Sequence, residues 1–107
     1  SIDELVGTYE GTVSSEEGSL SHTFTVRKNG DGIMIDDTMD TVKLQYDPAT
    51  GIARGSMSTS YGEYKLRYTY RFTFARNNGT IFMTGTSSAY LDDEYQATAN
   101  FNCYKVS

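Results

Sequence analysis

The chain of 107 residues holds one cysteine, one histidine, one proline and no tryptophan. Each shortage excludes something. A single cysteine forbids an intramolecular disulfide and any cysteine-rich zinc module. A bilayer-spanning helix takes about 20 consecutive apolar residues, and no run approaches that, so no membrane span is expected. A net charge of -5 opposes the phosphate-neutralising contacts on which nucleic-acid binders depend. At this length a second domain would have almost no core of its own, so residues 1–107 are read as a single domain.

What the chain does have is aromatic surface and alternation. Tyr 9 and Phe 5 supply enough apolar area to argue against disorder. From Tyr64 to Phe74 one face carries Tyr64, Leu66, Tyr68, Tyr70, Phe72 and Phe74, the other Lys65, Arg67, Thr69, Arg71 and Thr73. That period of two belongs to a strand with one buried side. Turn chemistry separates the segments. Asn29-Gly30-Asp31-Gly32 and Asn77-Asn78-Gly79 tolerate the positive φ of tight hairpins, and Asp47-Pro48-Ala49-Thr50-Gly51 presets a turn at its proline. Ser14 to Ser19 and Leu91 to Glu94 read as polar loops. The strands read between them are Leu5–Ser14, Leu20–Lys28, Ile33–Ile35, Thr41–Tyr46, Ile52–Ser58, Glu63–Ala75, Thr80–Tyr90 and Tyr95–Val106. Ser1-Ile2-Asp3-Glu4 fits a capping box and is read as one turn of helix, although a ragged end fits the same residues.

Strands joined by short links without helical crossovers are antiparallel. Two all-β architectures accept them, a sandwich and a barrel. Greek-key sandwiches need a long return connection, and none is visible here. The expected fold is therefore an antiparallel up-and-down barrel of about eight strands with a short N-terminal helical turn. Closure would also remove two sheet edges that the chain does little else to protect. Alternation places Tyr9, Phe24, Val26, Val42, Leu44, Leu66, Tyr68, Phe72, Met83 and Phe101 in the core.

At Leu5-Val6-Gly7-Thr8-Tyr9-Glu10-Gly11 the chain resembles the lipocalin (calycin) superfamily, and within it the small lipocalin-like domains of bacterial cell-envelope lipoproteins. Those barrels open with a helical turn and a Gly-x-Trp motif, here matched by Gly7-Thr8-Tyr9. Tyr9 stands where the family carries tryptophan, and Lys105 where its last strand carries arginine. The resemblance implies a lipocalin-like barrel exported from the cytoplasm: secreted, periplasmic or held at the cell surface as a lipoprotein. No charged, apolar leader precedes Leu5, so any signal segment is expected to be absent from this chain.

Residues able to carry chemistry are few. His22 is in phase with Leu20, Phe24 and Val26 and so faces inward, as a ligand contact in the cup, as a buried structural histidine satisfied by tyrosine hydroxyls, or as a residue of the open mouth. Cys103 is in phase with Ala97, Ala99 and Phe101 and reads as a small core residue. The carboxylate pairs Glu16-Glu17, Asp36-Asp37 and Asp92-Asp93-Glu94 fall in turns, where water keeps both partners ionised. Asp31, Asp36, Asp37 and Asp40 form an oxygen-rich stretch of the kind calcium takes, without EF-hand spacing. Asn78-Gly79-Thr80 matches a glycosylation sequon.

No nucleophile–base–orienter set, metal cluster or phosphate loop can be assembled from these residues. The expectation is a protein without enzymatic activity, cofactor or metal. As a function we expect a binding module for a small neutral or carbohydrate-like ligand, with a structural or protein-interaction barrel as the alternative. Tyr61, Tyr64, Tyr90 and Tyr95 lie near strand ends, where a ring presents both an apolar face and a hydroxyl. With His22 they are the candidate ligand-binding residues. Thr84, Thr86, Ser88, Gln96, Thr98, Asn100 and Asn102, with Phe82 and Tyr104 at the ends, form a hydroxyl-and-amide face suited to sugars and equally to plain solvent. Residues 63–76 carry Lys65, Arg67, Arg71 and Arg76 against Glu63, a basic stripe in an acidic chain. Lys65, Arg67 and Arg71 are candidates for an acidic protein partner, although a solvated strand face explains them too.

Overall fold

A computed structural model describes residues 1–37 and 40–107. The helical turn α1 (Ile2–Leu5) precedes β1 (Gly7–Ser15), β2 (Gly18–Asn29), β3 (Gly32–Asp36), β4 (Thr41–Asp47), β5 (Ile52–Tyr61), β6 (Tyr64–Asn77), β7 (Thr80–Leu91) and β8 (Glu94–Lys105). Each strand pairs antiparallel with the next, and β8 returns to β1 from Tyr9↔Lys105 to Ser14↔Asn100. The result is the expected closed eight-stranded up-and-down barrel. Among the described residues no helix is long and apolar enough to cross a membrane.

The hairpins follow from their turn residues. Asn78 (φ 52) and Gly79 (φ 81) link β6 to β7, and Asp92 (φ 47) and Asp93 (φ 66) link β7 to β8. Both pairs have the left-handed conformations of a type I′ turn, whose twist matches that of the strands it joins. Aspartate tolerates this conformation better than most side chains, so the stretch Leu91 to Glu94 is a tight turn and not a loop. β5 likewise continues past Ser58 to Tyr61 and turns at Gly62.

One end of the barrel is packed shut. α1 forms through a backbone bond from Glu4 N to the Ser1 carbonyl (3.2 Å), while the Ser1 hydroxyl caps nothing. The capping-box residues thus make a turn without making the box. That turn buries Leu5, and the Tyr9 hydroxyl donates to the Leu5 carbonyl at 2.8 Å. Tyr9 stacks on Phe24 at 5.6 Å and meets the edge of Phe74 at 5.9 Å. Around these rings the barrel buries Val26, Ile33, Leu44, Ala53, Phe72, Ile81, Met83 and Cys103. Val42 and Phe101 are partly buried against this cluster.

Two residues assigned to the core lie outside it. Leu66 and Tyr68 are half-buried and do not join the buried cluster. Their strand is the reason. β6 runs from Tyr64 to Asn77, and its lower part, with Phe72 and Phe74, faces the packed end. Its upper part, with Leu66 and Tyr68, lies beyond that packing. Gly85 sits across from Phe72 at φ +150, and a Cβ there would collide with the Arg71 carbonyl, so β6 and β7 approach closely at this level.

Truncation should separate the two levels of β6. Phe72→Ala is expected to cost about 3–5 kcal/mol through the cavity it leaves. Leu66→Ala is expected to cost under about 1 kcal/mol, as partly solvated sites do. Denaturant melts of both variants check this; equal losses would contradict the division.

Tyr9 generates an alkaline limit. Burial, assisted by Tyr46, holds its phenol well above the ordinary range. The unfolded chain therefore loses this proton first, once pH passes about 10. The stability is present below that pH and is lost as pH climbs towards the folded-state value. Tyr9→Phe should cost about 1 kcal/mol at neutral pH, since the Leu5 carbonyl loses its donor. It should also lessen the alkaline fall; part will remain with Tyr70, which burial pushes up to about 12. Urea melts from about pH 8 to about pH 11 on the two proteins test the difference.

Candidate functional site

The opposite end of the barrel is open. Above the packed rings lies a cup of about 290 Å³. Its floor is Phe24, Phe72, Met83 and Phe101, and its walls carry Ile35, Val42 and Met57. Polar groups gather at the upper level: His22, Asp37, Asp40, Tyr68, Tyr70 and Ser87. Tyr70 and Ser87 are direct cross-strand neighbours on β6 and β7. This volume is at the small end of the roughly 300–1,000 Å³ usual for small-molecule sites.

The strand periods place these groups. His22 is two residues beyond Phe24 on β2, so it takes the next inward position towards the mouth. Its ring lies 5.7 Å from Phe24 and 6.5 Å from Phe101. Its Nε2 is 3.2 Å from a carboxylate oxygen of Asp37. The histidine is thus a mouth residue partnered by an aspartate, and not by the tyrosine hydroxyls foreseen from sequence. Asp37 continues the inward series Ile33, Ile35 past the end of β3. Ser87 continues Met83 and Gly85 on β7. Both were within reach of the same two-residue count that placed His22.

The four candidate tyrosines do not form one site. Tyr61 and Tyr64 face each other at the tip of the β5–β6 hairpin, 73% and 51% exposed. Their positions in the alternation put them on the cup side of their strands. Tyr90 and Tyr95 belong to the outer surface. A register shift between Ala89 and Tyr90 brings their rings together at 5.9 Å, and the Arg67 guanidinium lies 4.2 Å above the Tyr90 ring. The Tyr95 hydroxyl bonds Thr98 at 2.7 Å, and Thr98 bonds Ser88 at 3.0 Å. A ladder of Ser88–Thr98, Thr86–Asn100 and Thr84–Asn102 then descends to the Phe82–Tyr104 pair, whose centroids are 6.3 Å apart.

Other candidate groups have structural partners. Asp36 accepts from Arg27 and from the Thr41 hydroxyl, and the Arg27 bond, then Thr41, holds its carboxyl below the usual range. Among the described residues no group of three potential metal ligands comes together. Asp92 accepts from the Lys65 amide at 2.9 Å, and Asp93 lies 3.6 Å from Arg67. Glu16 and Glu17 occupy the exposed β1–β2 turn, and Asn78 the exposed β6–β7 turn. Cys103 and His22 flank Gly11 on one rung of the sheet. The thiol is buried, its pKa pushed up by that burial, and its contact is the Thr12 carbonyl at 4.0 Å.

The basic stripe is divided as well. Arg67 is engaged by Tyr90 and Asp93. Arg71 pairs across strands with Arg54, and both line a groove that the sequence reading did not foresee.

No family model, curated protein or solved structure matches this chain. Fold and site together define an eight-stranded up-and-down barrel with one packed end and one small open cup.

Proposed function

We propose that this barrel is a non-catalytic binding module for one small neutral ligand, taken into the cup from the open end. The observation that carries the reading is the cup itself, an apolar space of about 290 Å³ under a polar rim. A ligand with an apolar body and one or two hydroxyls matches that gradient. His22, Tyr70 and Ser87 offer donors and acceptors to such hydroxyls. A fatty acid suits the site poorly. Its carboxylate would meet Asp37 and Asp40 at the mouth, and its chain would outrun the floor of Phe24, Phe72 and Phe101. An extracytoplasmic position belongs to the same proposal and rests on the Gly7-Thr8-Tyr9 resemblance.

The outer ladder supports a second reading, a carbohydrate laid along β7 and β8. Aromatic pairs bracket its hydroxyl and amide rungs at both ends, and Arg67 is stacked on one of them. Sugar rings stack on such aromatic faces while their hydroxyls bond the rungs.

Amide-resolved NMR titrations with neutral aromatic alcohols, monosaccharides and dodecanoate distinguish these readings. The expected result is saturable shifts at His22, Tyr70 and Ser87 with a neutral compound, abolished by Met57→Trp, which fills the cup. Shifts confined to Tyr90, Tyr95 and Thr98 with a sugar would move the site to the outer ladder. Stoichiometric binding of dodecanoate would overturn the neutral-ligand reading. Silence from every compound would favour a structural or protein-docking barrel.

A further inference from the structure

The barrel wall has a weak seam. β4 and β5 pair at Gln45↔Arg54, Tyr46↔Ala53 and Asp47↔Ile52. β5 then continues to Tyr61, bonded on its other side to β6 along its whole length. Among the described residues, Gly55–Tyr61 therefore pair with none of β4, and Thr41–Leu44 with none of β5. The ladder ends at Arg54, and β4 still lies close at Gly55, where a Cβ would stand 2.8 Å from the Lys43 carbonyl oxygen. An open groove of about 850 Å³ lies over the point where the pairing stops, reaching Gly55 and Ser56 at the start of the unpaired stretch.

Its charge is distinctive. Lys43, Arg54 and Arg71 line it, against one carboxylate, Asp31. Arg54 and Arg71 are direct cross-strand neighbours, an arrangement of like charges that costs stability in a sheet. None of the three cations takes part in an ion pair among the described residues. Asn29, Gln45 and Ser56 add polar groups, and Leu44, Tyr46 and Tyr70 supply the apolar part of the lining.

A free strand edge is a template for another strand. Here the edge of β5 offers about 20 Å of backbone at about 3.3 Å per residue. The cations decide what can use it. A second copy of the same edge would bring Arg54 and Arg71 against their own kind. An extended segment with acidic side chains would satisfy backbone and cations together. We propose that the β4–β5 seam is a docking site for an extended acidic peptide segment of a partner protein. The segment adds as a strand along Gly55–Tyr61, its carboxylates facing Lys43, Arg54 and Arg71. The seam borders the cup, because Val42 and Met57 on its two strands turn inward to the cup wall, whereas the three cations line the groove and not the cup, so the proposal does not depend on what the cup binds.

The test is fluorescence anisotropy with a fluorescein-labelled decapeptide of alternating glutamate and valine. Its controls are a lysine–valine peptide and a glutamate–valine peptide N-methylated at alternate residues. The acidic peptide is expected to bind and the lysine peptide not. N-methylation should weaken binding by about tenfold or more, because it removes ladder donors. Arg54→Ser with Arg71→Ser should weaken it to a similar degree and leave the thermal midpoint near that of the parent, both side chains being exposed. Amide exchange at Gly55–Tyr61 should slow when the acidic peptide is present. Equal binding of the N-methylated peptide, or unchanged affinity in the arginine variant, would overturn strand addition. Failure of the acidic peptide to bind would overturn it too, and binding of a sulfated oligosaccharide in its place would mark the groove as an anion site for glycans.

Discussion

The ladder from Tyr9↔Lys105 to Ser14↔Asn100 joins β1 to β8 and turns a curved sheet into a closed wall. Closure sets the width of the interior, and eight strands leave a space that side chains just fill. From there the size of the inward residues decides, level by level, whether the space is solid. At the level of Tyr9 the rings of Tyr9, Phe24 and Phe74 meet and α1 covers them, so nothing is left over. Higher up, Gly11 and Gly85 contribute no side chain and Ser87 a short one. Large residues remain on β6 and β8, but their neighbours across the barrel do not match them. The cup is what that mismatch leaves.

The same closure makes the wall uneven. β1, β2 and β5 to β8 are long, whereas β3 and β4 are short. The rim is therefore low where Asp37 and Asp40 stand and high where Tyr61 and Tyr64 stand. Among the described residues a long β5 beside a short β4 also leaves part of an edge unpaired, and Lys43, Arg54 and Arg71, which make no ion pair with a described residue, gather where it begins. The mouth of the cup is acidic and the seam is basic. One small barrel thus presents two surfaces of opposite electrostatic preference, each created by strand length and not by an inserted loop.

Most of the fold was legible because strand alternation and turn chemistry are local signals. Tyr64 to Phe74 alternates without interruption, and Asn77-Asn78-Gly79 marks its end. The misjudged details were non-local. Leu66 and Tyr68 are in phase with Phe72, yet phase does not say how far along the barrel the packed level extends. Tyr90 and Tyr95 seemed to belong with Tyr61 and Tyr64 because all four sit near strand ends. Tyr90 in fact shares the phase of Thr84, Thr86 and Ser88 on the outer face; the register shift at Ala89/Tyr90 brings Tyr95, which alternation with Cys103 would turn inward, out beside it, and nothing in the run of residues announces that shift. Asp37 and Ser87 were predictable from the period that placed His22, but polar residues at strand ends read as solvated. The seam is visible only from pairing, since Arg54 and Lys43 are far from the stripe that contains Arg71.

The central claim is that the barrel is solid at one end and hollow at the other. Xenon binds apolar cavities without needing hydrogen bonds, so methyl-resolved NMR under xenon pressure reads the claim directly. The account predicts saturable shifts at the methyls of Ile35, Val42, Met57 and Met83, with Leu5, Val26, Ile33 and Ile81 unmoved. Shifts spread evenly over both groups, or absent from both, would contradict it.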